Sequence, residues 1–248
     1  SGQTRYNLRL MSLFDMPTQL LHQSFEDPVL NLAAEEHLLR SFDGTEARPI
    51  LRIWEPDEVC VVLGVGQKVN LDVHASVCRR DGVRILRRFS GGGTVVHAPG
   101  MVCFSVFAPL KADARLANVR DSYCISLELL QRAFGEFASR MKLEKPCDIA
   151  LDGRKISGNA SRRARTWVLV HGTLLVDSDS TLFSRYLSHP PEEPDYRDGR
   201  SHESFVANLA EVGFDEGQAG AVKRLCSVVT GGEIERITGA QLDSCVKL

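Results

Sequence analysis

The stretch RRFSGGGTVVH, residues 87–97, sets three consecutive glycines between two β-rich runs, Val83 to Phe89 and Gly93 to His97. Glycine adopts positive φ and lets another group come against the backbone, so the triplet permits a tight turn with exposed N–H donors. A nest of such amides suits a phosphate or carboxylate, and Arg87 and Arg88 bring planar, always-charged donors for the same groups. Adjacent residues of a strand face opposite sides, which leaves one of the two arginines for a pocket. Taken alone, the glycines fit a hairpin turn with solvated arginines equally well. The stretch is neither GxxxxGK[ST] nor GxGxxG and opens no helix, so P-loop and dinucleotide-fold readings are weak.

Further β-rich runs flank this one: Asn7 to Phe14, Ile50 to Trp54, Val59 to Gly64, Met101 to Ala108, Asp148 to Leu151, Ile156 to Arg162 and Trp167 to Val176. Helical spacing predicts helices from Asp27 to Phe42, from Leu71 to Arg80 with Gly82 closing it, and over the long run Asp121 to Lys142. From about Ser180 the chain reads as helical, interrupted by the polar loop HPPEEPDYRDGRSHES. The pattern predicts an α+β fold: a mixed, largely antiparallel sheet with helices packed on it. Residues 1–214 form the catalytic domain in this reading, and 215–248 a helical extension of it or a small cap.

Composition narrows the function. With 248 residues, 43% of them hydrophobic, the chain can bury a core without disulfides or metals. A formal net charge of −2 argues against a dedicated nucleic-acid binder, whose affinity rests on a basic surface. Seven cysteines without CxxC spacing read as reduced thiols rather than a zinc site or a disulfide framework. The start, SGQTRYNLRLMSLFD, lacks the apolar run of a secretory signal, and no segment is apolar for long enough to span a bilayer. The expectation is a soluble, cytoplasmic protein with no membrane partner.

The second informative stretch is CDIALDGRKISGNASRR, residues 147–163. Lys155 follows a turn and borders the small residues Ser157, Gly158, Asn159 and Ala160. A lysine so placed can point inward, hold a phosphate and polarise a carbonyl; it can equally be a solvated hairpin residue. Asp148 suits either a strand end or a carboxylate that helps position Mg²⁺ beside substrate phosphates. His97 and His171 fit proton transfer or structural hydrogen bonding.

Together, RRFSGGGTVVH and DGRKISGNA resemble the lipoate–protein ligase family, related to biotin–protein ligases and octanoyltransferases. The upstream NLAAEEHLL and VVLGVGQKVN are similar in kind and order to its segments, and the resemblance covers roughly residues 8 to 190. The biotin branch usually carries a GRGR-type loop where this chain has RRFSGGG. The resemblance implies activation of lipoate, or octanoate, by ATP and Mg²⁺ to the acyl-AMP. Transfer to a lysine of an acceptor lipoyl domain then follows, on a 2-oxoacid dehydrogenase subunit or a glycine-cleavage H protein.

By the same resemblance Lys155 is the central catalytic residue, touching phosphate and acyl carbonyl. Arg87, Arg88, Ser90, Gly91, Gly92, Gly93, Thr94, Val95, Val96 and His97 form the adenylate and lipoyl contact region. Gly158, Asn159, Ala160, His171 and Gly172 wall the pocket, and Gln67 faces the nucleotide. Two departures stand out. Cys147 precedes Asp148 where the ligases often have asparagine, which opens an octanoyltransferase alternative with Cys147 as acyl-thioester nucleophile. The region after the catalytic part is also short, so an accessory domain from a separate chain is a further partner. A fold that binds an acyl-adenylate or a lipoyl domain without turnover is the third reading.

Overall fold

A computed structural model of the chain describes residues 12–189, 193–242 and 245. Ten strands and nine α-helical segments are present among them. The strands are β1 (Gln19–His22), β2 (Ile50–Trp54), β3 (Cys60–Leu63), β4 (Arg84–Arg87), β5 (Val95–His97), β6 (Met101–Pro109), β7 (Met141–Glu144), β8 (Asp148–Leu151), β9 (Arg154–Arg163) and β10 (Trp167–Leu175). The helices are α1 (Pro28–Phe42), α2 (Val69–Asp72), α3 (Ala75–Asp81), α4 (Val119–Ser122), α5 (Cys124–Ala133), α6 (Thr181–Tyr186), α7 (His202–Phe205), α8 (Gly217–Cys226) and α9 (Gly239–Leu242).

Two sheets form. The larger runs β1-β2-β6-β10-β9-β8-β7, and every pairing in it is antiparallel except β1 with β2. The smaller runs β4-β3-β5, with β3 parallel to β4 and antiparallel to β5. The glycine triplet joins the two outer strands of this small sheet.

Alternation along the central strands decides where the core and the site lie. Val102, Phe104, Val106 and Ala108 of β6 join Val168, Val170 and Leu174 of β10 in one apolar core. Leu129 and Leu130 of α5 and Ala221, Val222 and Leu225 of α8 cover that face. Each fully buried leucine there contributes about 1.5–3 kcal/mol. From the opposite face Ser105 and His171 reach Glu35 of α1, and Arg52 reaches Asn31. Helix α1 starts where Asp27 accepts from the Val29 N–H and Pro28 occupies the first turn.

Three expected elements differ. The run Asp121 to Lys142 is no single helix: Phe134 (φ −124°, ψ 58°) ends α5, Gly135–Arg140 is a 3₁₀ turn, and β7 begins at Met141. The helix expected over Leu71 to Arg80 is split at Val73 and His74, although Gly82 closes it in the left-handed conformation as expected. Of the strand expected over Asn7 to Phe14, residues 7–11 lie outside the described residues, and Leu13–Asp15 is a 3₁₀ turn. Cys60, Cys78, Cys103, Cys124, Cys147 and Cys226 are free thiols. Among the described residues no helix is long and apolar enough to cross a membrane.

Candidate functional site

A cavity of about 670 Å³ lies between the α1 face of the large sheet and the small sheet. That volume is within the range of small-molecule sites. Lys155 enters it from the start of β9, and its Nζ lies 2.8 Å from Asp148 Oδ1 across the β8–β9 hairpin. A Cβ on Gly158 would stand 3.0 Å from Lys155 Cε and Nζ, so this glycine is the seat on which the lysine lies. Lys155 keeps about a quarter of its side-chain surface exposed, whereas Asp148 is buried.

The glycine loop forms the opposite wall. Gly93, Thr94, Val95, Val96 and His97 all line the cavity, as does Gln67. Gly92 takes φ +84°, and its Cβ position is 2.9 Å from Arg88 Nη2 and 3.1 Å from Ala160 Cβ. Only glycine fits there. Gly64, at the end of β3, is tighter still: a Cβ would sit 2.1 Å from the Gly92 carbonyl oxygen.

The arginines divide as strand alternation predicts. Arg88 is buried and reaches the cavity, but its guanidinium donates to protein: to Gly91 O (2.6 Å), Gly93 O (2.7 Å), Val62 O (3.2 Å) and Ser90 Oγ (3.1 Å). It clamps the loop in shape. Burial lowers its pKa to about 10, which still leaves it charged. Arg87 is exposed and donates to Gly64, Val65 and Gln67 carbonyls. Arg87, Ser90, Gly91 and Gly92 are not among the residues that line the cavity. Their backbone shapes its wall.

At the inner end a buried polar chain replaces a simple apolar floor. Ser90 Oγ is 2.8 Å from His171 Nε2, His171 Nδ1 is 2.8 Å from Glu35 Oε2, and Ser105 donates to Glu35 Oε1 at 2.5 Å. His171 Nδ1 faces Glu35 and Nε2 faces Ser90, whose oxygen accepts from Arg88 Nε. This orders serine, histidine and carboxylate as in a nucleophilic triad, but Ser90 is fully buried and touches no part of the cavity. The chain is a brace. Burial works against ionising Glu35, yet the His171 charge and hydrogen bond, with Arg52 and Ser105, hold it down to about 2. His97 packs edge-on against Trp54 and lies 3.3 Å from Thr173 Oγ1. Burial and the Arg88 charge push its pKa down to about 4, so it is neutral at pH 7.

Asn159 and Cys147 interlock. Asn159 Nδ2 donates to Cys147 O and the Cys147 thiol donates to Asn159 O, each at 2.8 Å. Gly172 makes room for this pair, since a Cβ there would meet Asn159 Oδ1 at 2.3 Å and Phe104 Cζ at 2.6 Å. Burial and the Asp148 charge push the Cys147 thiol up to about 11, only partly opposed by Lys155. A nucleophilic cysteine needs the opposite shift.

The carboxylate proposed for Mg²⁺ is fully engaged: Oδ1 pairs with Lys155, and Oδ2 accepts from Tyr196 at 2.9 Å. Among the described residues no group of three or more His, Cys, Asp or Glu side chains is arranged to hold a metal ion.

Sequence reasoning missed several lining residues. Leu32 and Glu35 come from α1, Trp54 from β2, and Arg197 and His202 from the strap 193–206 that crosses the cavity. Glu35 carried a signal: it sits three residues after Leu32 and four before Leu39, on the apolar face of a helix. The strap, a polar loop in the sequence reading, walls the cavity. Its Arg197 is buried over Phe205, with the guanidinium carbon 5.0 Å from the ring centroid.

Comparison with known proteins agrees with this arrangement. Residues 27–227 match the family described as the lipoyl protein ligase A/B catalytic domain. A probable lipoate-protein ligase A of Mycoplasma pneumoniae is 34% identical over 176 residues, 70% of this chain and 50% of that protein. The human mitochondrial lipoyl amidotransferase is 32% identical over 195 residues, 77% of this chain and 50% of that protein. The chain thus spans about half the length of these curated relatives. A Thermoplasma acidophilum protein solved with lipoic acid bound has the same fold, with a TM-score of 0.75 at 21% identity over 93% of both chains. A lipoate-protein ligase A solved with ATP scores 0.74 at 21% identity, covering 92% of this chain and 91% of that one.

Proposed function

The chain belongs to the lipoyl protein ligase A/B catalytic-domain family, and on that premise we propose that it handles a lipoyl or octanoyl adenylate. In the full reaction the acyl carboxylate displaces pyrophosphate from ATP, and an acceptor lysine then displaces AMP from the acyl group. The observation that carries this reading is the position of Lys155, a partly exposed cation facing the cavity that the glycine loop walls.

An acyl-adenylate has an anionic phosphate, a reactive carbonyl and an apolar tail. Lys155 supplies the charge for the first two, where negative charge grows as the acceptor amine attacks. The tail suits the wall of Leu32, Trp54 and Val95. Arg88 acts indirectly, holding the carbonyls of the loop so that its cavity-facing residues keep their places. His97, neutral at pH 7, adds no competing charge. Enclosure between the two sheets and the strap keeps water from the mixed anhydride.

A second reading, transfer of an already activated acyl group, is favoured by one observation. Both Asp148 oxygens already bind protein groups, Lys155 and Tyr196, and a metal-bound triphosphate would compete with them. The thioester route through Cys147 has less support, because its thiol is held protonated. The acceptor is a lipoyl domain in either case. A neighbouring fold, a bi-partite ligase from Thermoplasma acidophilum solved in work on its E2 lipoyl domain, suggests that a separate accessory chain is worth supplying.

The test is intact mass spectrometry on an apo lipoyl domain, with and without an accessory domain. One arm receives lipoate, ATP and magnesium; another, preformed lipoyl-AMP; a third, octanoyl-carrier thioester without ATP. Acylation in the first arm is the expected result. Acylation from lipoyl-AMP alone selects the second reading, and no acylation in any arm rejects both.

A further inference from the structure

Tyr196 stands on the strap, far in sequence from either motif. Its hydroxyl donates to Asp148 Oδ2 at 2.9 Å, the oxygen that Lys155 leaves free. Its ring lies 5.0 Å from that of Phe205, so packing alone would hold the side chain. The hydroxyl is therefore an addition with a specific target. The strap is also fastened beside the lysine: Ala207 N–H donates to Lys155 O at 2.8 Å, and Arg200 Nη2 donates to Gly153 O at 3.1 Å.

We propose that Tyr196 is a positioning residue for Lys155, acting through Asp148. A buried carboxylate with one donor concentrates its whole charge on that donor, whereas two donors share it. The Tyr196 hydroxyl takes one oxygen and thereby weakens the hold of Asp148 on the ammonium group. Lys155 is kept in place, yet can leave the carboxylate for a phosphate or an acyl carbonyl. Burial and the Asp148 charge keep the phenol protonated well above its ordinary range, so it remains a donor at neutral pH. The catalytic part of this role rests on the function proposed above; the effect on Lys155 does not.

The test uses Tyr196→Phe, which keeps the ring, together with Asp148→Asn and the double variant. The first readout needs no substrate: acetylation of Lys155 by an N-hydroxysuccinimide ester, followed by peptide mass spectrometry against exposed Lys111. Tyr196→Phe is expected to slow Lys155 labelling several-fold while Lys111 is unchanged, and to have no further effect in the Asp148→Asn background. The second readout is acyl transfer from preformed lipoyl-AMP. There kcat should fall about tenfold, the size of one hydrogen bond to a charged group, with KM for the acceptor domain within about twofold. Unchanged Lys155 labelling, or an equal effect with and without Asp148, overturns the proposal. If wild type does not transfer from lipoyl-AMP, the functional reading fails, and the labelling cycle still decides the role of Tyr196.

Discussion

Replacing Gly64 by alanine tests the claim that the glycine loop is held against the end of β3. The new Cβ would stand 2.1 Å from the Gly92 carbonyl oxygen and 3.1 Å from that of Gly91. Both neighbours are backbone, so the loop itself must move, by roughly 1 Å to restore ordinary contact. The carbonyls that move are those of the segment Arg88 clamps through Gly91 and Gly93. Overpacking of this kind costs about 1–3 kcal/mol, or roughly 3–10 °C in melting temperature for a chain of this size. A 1 Å misplacement of a site wall lowers turnover by about a hundredfold. The assay is transfer from preformed lipoyl-AMP to an apo lipoyl domain, read beside a thermal melt. Gly91→Ala and Gly66→Ala are the controls, since a Cβ at either meets nothing within 4 Å. If Gly64→Ala behaves like those two, the loop is not held by this contact and the account of the wall is wrong.

Two other expectations concern buried titratable groups. Cys147→Ser should retain transfer within about threefold, and iodoacetamide should modify Cys147 far more slowly than a free thiol, because its pKa is pushed up to about 11; rapid alkylation or loss of transfer would revive the thioester route. Glu35, ordinarily near 4.5, is held down to about 2 in the fold. Its ionised form therefore contributes stability above pH 4.5 that is lost as pH falls towards about 2, a contribution of roughly 3 kcal/mol. Urea titrations from pH 7 to pH 2 should show this acid limb, and Glu35→Gln should flatten it while lowering stability at pH 7. An unaltered limb in the variant assigns the acid loss to other carboxylates.

The sheet was legible because its strands are apolar runs between turn residues, and β6 and β10 follow the runs read from composition closely. The long helix was not. Its apolar spacing continues through Phe137, but Gly135 follows a non-helical Phe134, and the same residues pack as a 3₁₀ turn before β7. In the site, Lys155, Gly158 and the loop glycines were visible because small residues beside a charge mark a close approach. What Arg88 does was not visible. Its partners are main-chain oxygens fixed by the turn, and no residue type encodes them. Tyr196 reaches Asp148, and Trp54 the cavity, from elements distant in sequence, which local spacing does not reveal. Arg52 was more accessible to reasoning: a lone charge in the apolar run ILRIW belongs inside only with partners, and it donates to Asn31 and Gln23.

The most direct measurement is single-turnover transfer from preformed lipoyl-AMP to an apo lipoyl domain, comparing wild type with Lys155→Ala and Lys155→Arg by intact mass. The account predicts prompt acylation by wild type and a loss of about a hundredfold or more in Lys155→Ala. Only partial recovery is predicted with arginine, whose planar fork does not fit the seat on Gly158. Equal rates in wild type and Lys155→Ala, with both folded, would contradict it.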